Sequence, residues 1–98
     1  MTETVEFEAQ QRAITDMRTL VLEISRALVD EPESVEVDAL NDVGATVLRL
    51  RVSPRDLGKV IGKQGRTARS LRTILGAASM KLKHRFALDI VEVHEAGE

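Results

Sequence analysis

The stretch Val60-Ile61-Gly62-Lys63-Gln64-Gly65-Arg66 constrains this chain more than any other. Helical patterns lie on both sides of it, so the backbone must leave one helix and enter the next across two glycines and the pair between them. Glycine accepts φ > 0 and carries no Cβ, which permits the reversal and lets another backbone come close. Lys63 sits in the middle of that bare segment. Naked main chain beside a cation, at the mouth of a helix with unpaired N–H groups, suits a phosphate. The same spacing also occurs in plain tight turns, so its meaning depends on what surrounds it.

Charge surrounds it. Residues 54–85 carry nine Lys or Arg (Arg55, Lys59, Lys63, Arg66, Arg69, Arg72, Lys81, Lys83, Arg85) against one acid, Asp56. Residues 1–53 carry five basic and eleven acidic side chains, and residues 86–98 add four acids. The overall charge of −2 therefore conceals a basic block around the glycine loop inside an acidic chain. Ordinary solvated helix faces interleave both signs, which a block of this kind does not. The 98 residues are expected to form one domain. Of them 43% are apolar but only 2% aromatic, so the core is built from Val, Leu, Ile and Ala. Without cysteine, neither a disulfide framework nor a thiolate metal site is available. The start, Met1-Thr2-Glu3-Thr4-Val5-Glu6-Phe7-Glu8, is acidic and unlike a signal peptide, and no stretch reaches membrane-spanning length; a cytoplasmic protein is expected.

Along the chain, residues 1–12 are polar and acidic and are expected to be a disordered tail or a frayed helical extension. From Ile14, apolar positions at Met17, Leu20, Val21, Ile24, Ala27 and Leu28 step by three and four and predict a helix that stops near Pro32. Val35–Ala39 alternates as a strand, Asn41-Asp42-Val43-Gly44 reads as a hairpin turn, and Thr46, Leu48, Leu50 and Val52 share one face of a second strand. Ser53-Pro54-Arg55-Asp56 has the residues of a helix start, with Ser53 as the cap. After the glycines, Ala68, Leu71, Leu75, Ala78 and Leu82 predict an amphipathic helix of about four turns. Arg66, Arg69 and Arg72 run along another of its faces. Phe86, Leu88 and Ile90 alternate in a last strand, and residues 94–98 are expected to be a polar tail.

Helix, strand, strand, helix, glycine loop, helix, strand is an α+β order, a three-stranded sheet packed against three helices. With Gly62-Lys63-Gln64-Gly65 between the fourth and fifth elements, the chain resembles the type II KH domain of bacteria. It is more closely similar to the stand-alone KH proteins of the KhpA family. The stretches that carry the resemblance are Leu28–Pro32, Leu48–Val52 and above all Asp56–Arg66. It covers about residues 17–92, within a KH domain drawn at 13–93, and leaves the acidic extension 1–12 outside.

The resemblance implies a loop that grips about four nucleotides of single-stranded RNA. Gly62 and Gly65 would let the loop approach the phosphodiester, Lys63 would supply charge, and Gln64 would hydrogen-bond phosphate or sugar. Val60 and Ile61 would form an apolar floor, Arg66 and Arg69 would continue the phosphate track, and Lys59, a turn earlier, is a weaker contributor. Arg49 and Arg51 are expected to be solvated. With only Phe7 and Phe86 as aromatics, stacking on rings is not available, so one copy should bind weakly and mainly through charge. The resemblance further implies self-dimerisation, a partner resembling KhpB (Jag), and work as an RNA chaperone or post-transcriptional regulator.

Enzymatic chemistry is not expected. His84 and His94 are isolated and read as surface residues, no metal-ligand spacing is present, and Ser53 lacks an activating His–Asp pair. No cofactor, small-molecule substrate or membrane partner is implied. The rival reading is a KH-fold protein-interaction module that does not bind RNA, which the acidic remainder of the chain favours and Lys63 disfavours. If the acidic segment competed with RNA for the basic face, deleting residues 1–12 would tighten binding.

Overall fold

A computed structural model describes residues 2–93. The first helix, α1, runs over Thr2–Leu28. It begins a dozen residues before the apolar periodicity does, so α1 takes in residues 2–12. Glu3, Glu6, Glu8, Ala9, Gln10, Gln11 and Arg12 are good or neutral helix formers with no Gly or Pro among them. Ala13 and Ile14 are buried, which anchors the extension to the core. A 3₁₀ turn at Pro32–Ser34 follows, since proline cannot continue the hydrogen-bond ladder of a helix.

Strand β1 spans Glu36–Asp42 and β2 spans Ala45–Val52. They pair antiparallel around a two-residue turn, Val43-Gly44, in which Gly44 takes φ 68°. The strands thus include Asn41 and Asp42, and the reversal is tighter than the four-residue turn read from sequence. Strand β3, Arg85–Glu92, pairs parallel with β2, so the order is β1-β2-β3 with β2 central. A parallel neighbour requires a crossover, and here the crossover carries α2 (Leu57–Ile61), the glycine loop and α3 (Arg66–Leu82). The helix–strand–strand–helix–helix–strand order is the α+β arrangement of a type II KH domain.

One face of the sheet meets the helices. Leu48, Leu50 and Val52 of β2, Val37 of β1, and Phe86 and Leu88 of β3 pack with Val21, Val60, Leu71 and Leu75 into an aliphatic core. Each such side chain contributes about 1.5–3 kcal/mol by leaving water. The other face is open. There Arg49 pairs with Asp89 at 3.2 Å and Arg51 with Asp38 at 3.1 Å, so these arginines are matched by acids across the strands.

His84 is not the surface residue its position suggested; it is buried with Thr46. The Thr46 hydroxyl donates to Asn41 Oδ1 at 2.8 Å, and its oxygen accepts from His84 Nε2 at 2.7 Å. Gln10 Nε2 in turn donates to His84 Nδ1 at 2.9 Å. Both ring nitrogens are therefore satisfied, and the early part of α1 is stitched to the hairpin base and the end of α3. His94 lies outside the described residues.

Candidate nucleic-acid interface

The glycine loop is held from behind by a carboxylate whose duty the sequence does not disclose. Asp56 is buried, and its two oxygens accept the backbone N–H groups of Asp30 at 3.1 Å and Glu31 at 3.0 Å. Lys59 Nζ lies 3.5 Å from the same carboxylate and 3.1 Å from that of Asp30. Burial alone would raise the pKa of Asp56, but the two backbone donors and Lys59 outweigh it and hold the carboxyl below its ordinary 3.8. Ser53 does not cap the helix start. Its hydroxyl donates to Glu31 Oε2 at 2.9 Å, a further tie between the same two segments. The end of α1 and the start of α2 are thus pinned together, which fixes where α2 delivers the chain.

Helix α2 is five residues long and stops where the Gly62 N–H donates to Gly58 O at 2.8 Å. Gly62 then adopts φ 79°, ψ 170°, a conformation essentially reserved for glycine. A Cβ there would collide with the Thr67 side chain and come within 2.9 Å of the Thr67 backbone nitrogen. Gln64 and Gly65 follow in left-handed geometry, at φ 56° and φ 72°, and α3 begins. The space a Cβ would occupy at Gly65 is open, with nothing within 4 Å. The two glycines therefore differ: Gly62 is pressed against Thr67, whereas Gly65 presents bare main chain outward.

Beside Gly65 lies an open groove of about 520 Å³, lined by Ile61, Gly65, Ala68, Arg69, Arg72 and Ile90. Its floor is apolar, one wall is guanidinium, and no carboxylate is among these residues. The Arg66 guanidinium donates to Gln64 Oε1 at 3.1 Å and that of Arg69 approaches Gln64 O at 3.4 Å, so both lean back over the loop. Arg72 is tethered by a bond to Leu88 O at 3.2 Å. Lys63 and Gln64 are exposed at the loop tip.

The structure thus brings Ile61, Lys63, Gln64, Gly65, Arg66 and Arg69 to one surface. It withdraws two of the expected residues. Val60 is fully buried and holds α2 against the core, leaving no surface for a base. Lys59 is engaged with Asp30 and Asp56, which offset its charge. Arg72, Ala68 and Ile90 line the groove although they were not in the expected set. The three-residue spacing of Arg66, Arg69 and Arg72 was signal enough for the first, whereas the approach of β3 to α3 cannot be read from spacing. The acidic extension does not cover this surface. It adjoins Lys81–His84 at the far end of α3, about 25 Å of helix from the loop and about 14 Å from Arg72.

Among the described residues, no helix is long and apolar enough to cross a membrane, and no cluster of His, Cys, Asp or Glu could hold a metal ion. Comparison with known proteins agrees with the geometry. The sequence profile of the KhpA/KhpB KH domain matches residues 18–90. The RNA-binding protein KhpA of Halalkalibacterium halodurans is 50% identical over 76 residues, 78% of this chain and all of that protein. That of Caldanaerobacter subterraneus subsp. tengcongensis is 45% identical over 75 residues, 76% of this chain and again all of the relative. That of Treponema pallidum is 46% identical over 79 residues, 81% of this chain and 99% of the relative. By fold, by loop and by these matches, the chain belongs to the KhpA/KhpB family of KH domains.

Proposed function

We propose that this protein binds single-stranded RNA by gripping the sugar–phosphate backbone between the Gly62–Gly65 loop and the first turns of α3. The observation that carries the reading is the groove beside Gly65, with arginines on its wall, an apolar floor and no acid in its lining. The relatives named above are called RNA-binding proteins, which supports the same reading. Gly65 admits the backbone, Lys63 supplies charge at the tip, and Arg66, Arg69 and Arg72 continue the phosphate track. The N-terminus of α3 adds its unpaired N–H groups and positive dipole end. Ile61 and Ile90 offer an apolar rest for bases, with Val60 behind them as support. The family is one of binding domains, and the protein is not an enzyme.

With no aromatic side chain at the groove, affinity from one copy is low and sequence preference slight. Useful affinity then requires a second grip on the same strand, which multiplies effective concentration without new contacts. Self-association, or pairing with a larger KH protein resembling KhpB (Jag), supplies it. The resulting role is that of a cytoplasmic RNA chaperone or post-transcriptional regulator.

The test is fluorescence anisotropy with a labelled single-stranded RNA of about twenty nucleotides, comparing wild type with Lys63→Asp/Gln64→Asp. Gln64 sits at φ 56°, which aspartate tolerates well, so the variant should fold. Loss of most binding is expected. Equal affinity in both proteins would favour a KH-fold interaction module instead.

A further inference from the structure

Two cations stand at the unfavourable end of a helix. Arg66 opens α3 and Arg69 completes its first turn, where the partial positive charge of unpaired N–H groups repels a guanidinium. Lying one turn apart, the two also repel each other. Among the described residues, neither forms an ion pair with an acid. Yet both are held. Arg66 Nη2 donates to Gln64 Oε1 at 3.1 Å, and Arg69 Nη2 lies 3.4 Å from Gln64 O. One residue thus engages both guanidiniums, through its side-chain oxygen and its main-chain oxygen.

The choice of residue at this position has a chemical reason. Gln64 sits at φ 56°, ψ 24°, a region that residues other than Gly, Asn and Asp seldom enter. A loop shaped only to turn would place Gly or Asn there. What glutamine adds over asparagine is one methylene of reach, and its amide oxygen ends on Arg66. The amide is also neutral, so it orders a cation without cancelling its charge. Lys59 shows the contrast, since Asp30 and Asp56 hold it and offset its charge. Each guanidinium carries several N–H donors and gives Gln64 a single one, so most remain for a phosphate.

We infer that Gln64 is a positioning residue for the RNA grip, one that acts through Arg66 and Arg69 and does not itself bind the strand. The inference rests on the RNA reading and changes one part of it, because the loop spacing had suggested that Gln64 bonds phosphate or sugar. Long, rotamer-rich side chains lose freedom when they bind, and that loss opposes affinity. Holding the two arginines over the loop in the free protein removes part of the opposition before the strand arrives. A groove with no aromatic side chain depends on such preparation more than most, because charge supplies the bulk of its affinity.

The test uses two variants. Gln64→Asn keeps the left-handed backbone and the main-chain oxygen but shortens the amide; Gln64→Met keeps the length and lacks an acceptor. Nitrogen-15 relaxation at the arginine Nε atoms reads the hold directly. In wild type, Arg66 and Arg69 should be more ordered than Arg55, which is exposed and forms no ion pair among the described residues. Both variants should free Arg66 and leave Arg69 ordered, because the acceptor for Arg69 is main chain. Wild-type arginines as mobile as Arg55, or loss of order at both arginines in Gln64→Asn, would overturn the inference. Titrated with a hexanucleotide RNA and followed by chemical shift, each variant should bind about three- to tenfold more weakly than wild type. In an Arg66→Met background, the same changes should reduce affinity by less than about twofold. Equal losses in the two backgrounds would mean that Gln64 touches the strand, and no loss in either would mean that its hold does nothing for binding. Either result overturns the inference and leaves the RNA reading standing. A wild type that does not bind the hexanucleotide at all would overturn the RNA reading and the inference with it.

Discussion

Gly62 and Gly65 look interchangeable in sequence and are not so in space. Gly62 occupies a backbone region that costs other residues roughly 1–3 kcal/mol, and its missing Cβ is what lets Thr67 close over the loop. Gly65 is in left-handed geometry, which costs an alanine about 1–2 kcal/mol, and its Cβ would point into open space. Gly62→Ala should therefore lower the urea midpoint by the larger amount, from strain plus collision. Gly65→Ala should fold with the smaller loss yet bind RNA about tenfold less well, because the new methyl stands where the strand must approach. Equal stability losses with unchanged RNA binding for Gly65→Ala would refute the division. The glycine spacing itself is legible in the sequence, since only glycine suits such a reversal. The unequal duties of the pair are not, because they depend on where Thr67 lands. The same holds for Val60 and Ile61: two neighbouring aliphatic residues on a five-residue helix cannot be told apart until the core is placed, and only Ile61 faces the groove.

At the scale of elements, the short helix α2 is the weak link, since five residues cannot sustain themselves as a helix. What holds it is Asp56, which accepts the N–H groups of Asp30 and Glu31 just past the end of α1 and draws Lys59 across. Removing the charge but keeping the shape, Asp56→Asn keeps one acceptor oxygen and sets an NH2 group against the other of the two backbone donors. We expect a drop of several degrees in Tm by circular dichroism, and weaker RNA binding because the loop is no longer held at a fixed angle. The carboxyl is held below its ordinary 3.8, so its contribution is complete above that pH and disappears as pH falls through the lowered value. Wild type should therefore lose stability faster than Asp56→Asn as pH drops below about 4, and parallel acid profiles would remove Asp56 from the account. Sequence pattern alone reveals the six elements and their order, because apolar spacing of two or of three and four is written locally. It marks Asp56 only as an acid in a first turn, since its partners lie 25 and 26 residues earlier in the chain. It also starts the first helix too late, at Ile14, because residues 2–12 lack an apolar stripe; their helix rests on propensity and on Gln10 reaching His84, 74 residues away.

Over the whole molecule, the basic block of the sequence divides in space: Lys63, Arg66, Arg69 and Arg72 stand at the loop and groove, whereas Lys81 and Lys83 lie at the other end of α3, beside Glu6 of α1. The position of the acids decides between two accounts of them. Had the extension folded over the groove, its removal would relieve competition and tighten RNA binding. It lies instead at the far end of α3, more than two Debye lengths from the loop at physiological salt, where exposed charges hardly interact. Deleting residues 2–8, which spares Gln10, should accordingly leave the affinity for a hexanucleotide RNA unchanged at about 0.15 M salt, within roughly a factor of two. A gain of tenfold would reinstate competition. The same RNA, titrated against salt, should show a log–log slope near −3, since about four phosphates contribute roughly −0.7 each on a single strand. Truncation should not alter that slope, because none of the lost carboxylates touches the phosphate track. Replacing Arg69 or Arg72 by Gln should reduce it by close to one contact's share, and a slope indifferent to either arginine would mean that the strand runs elsewhere on the protein.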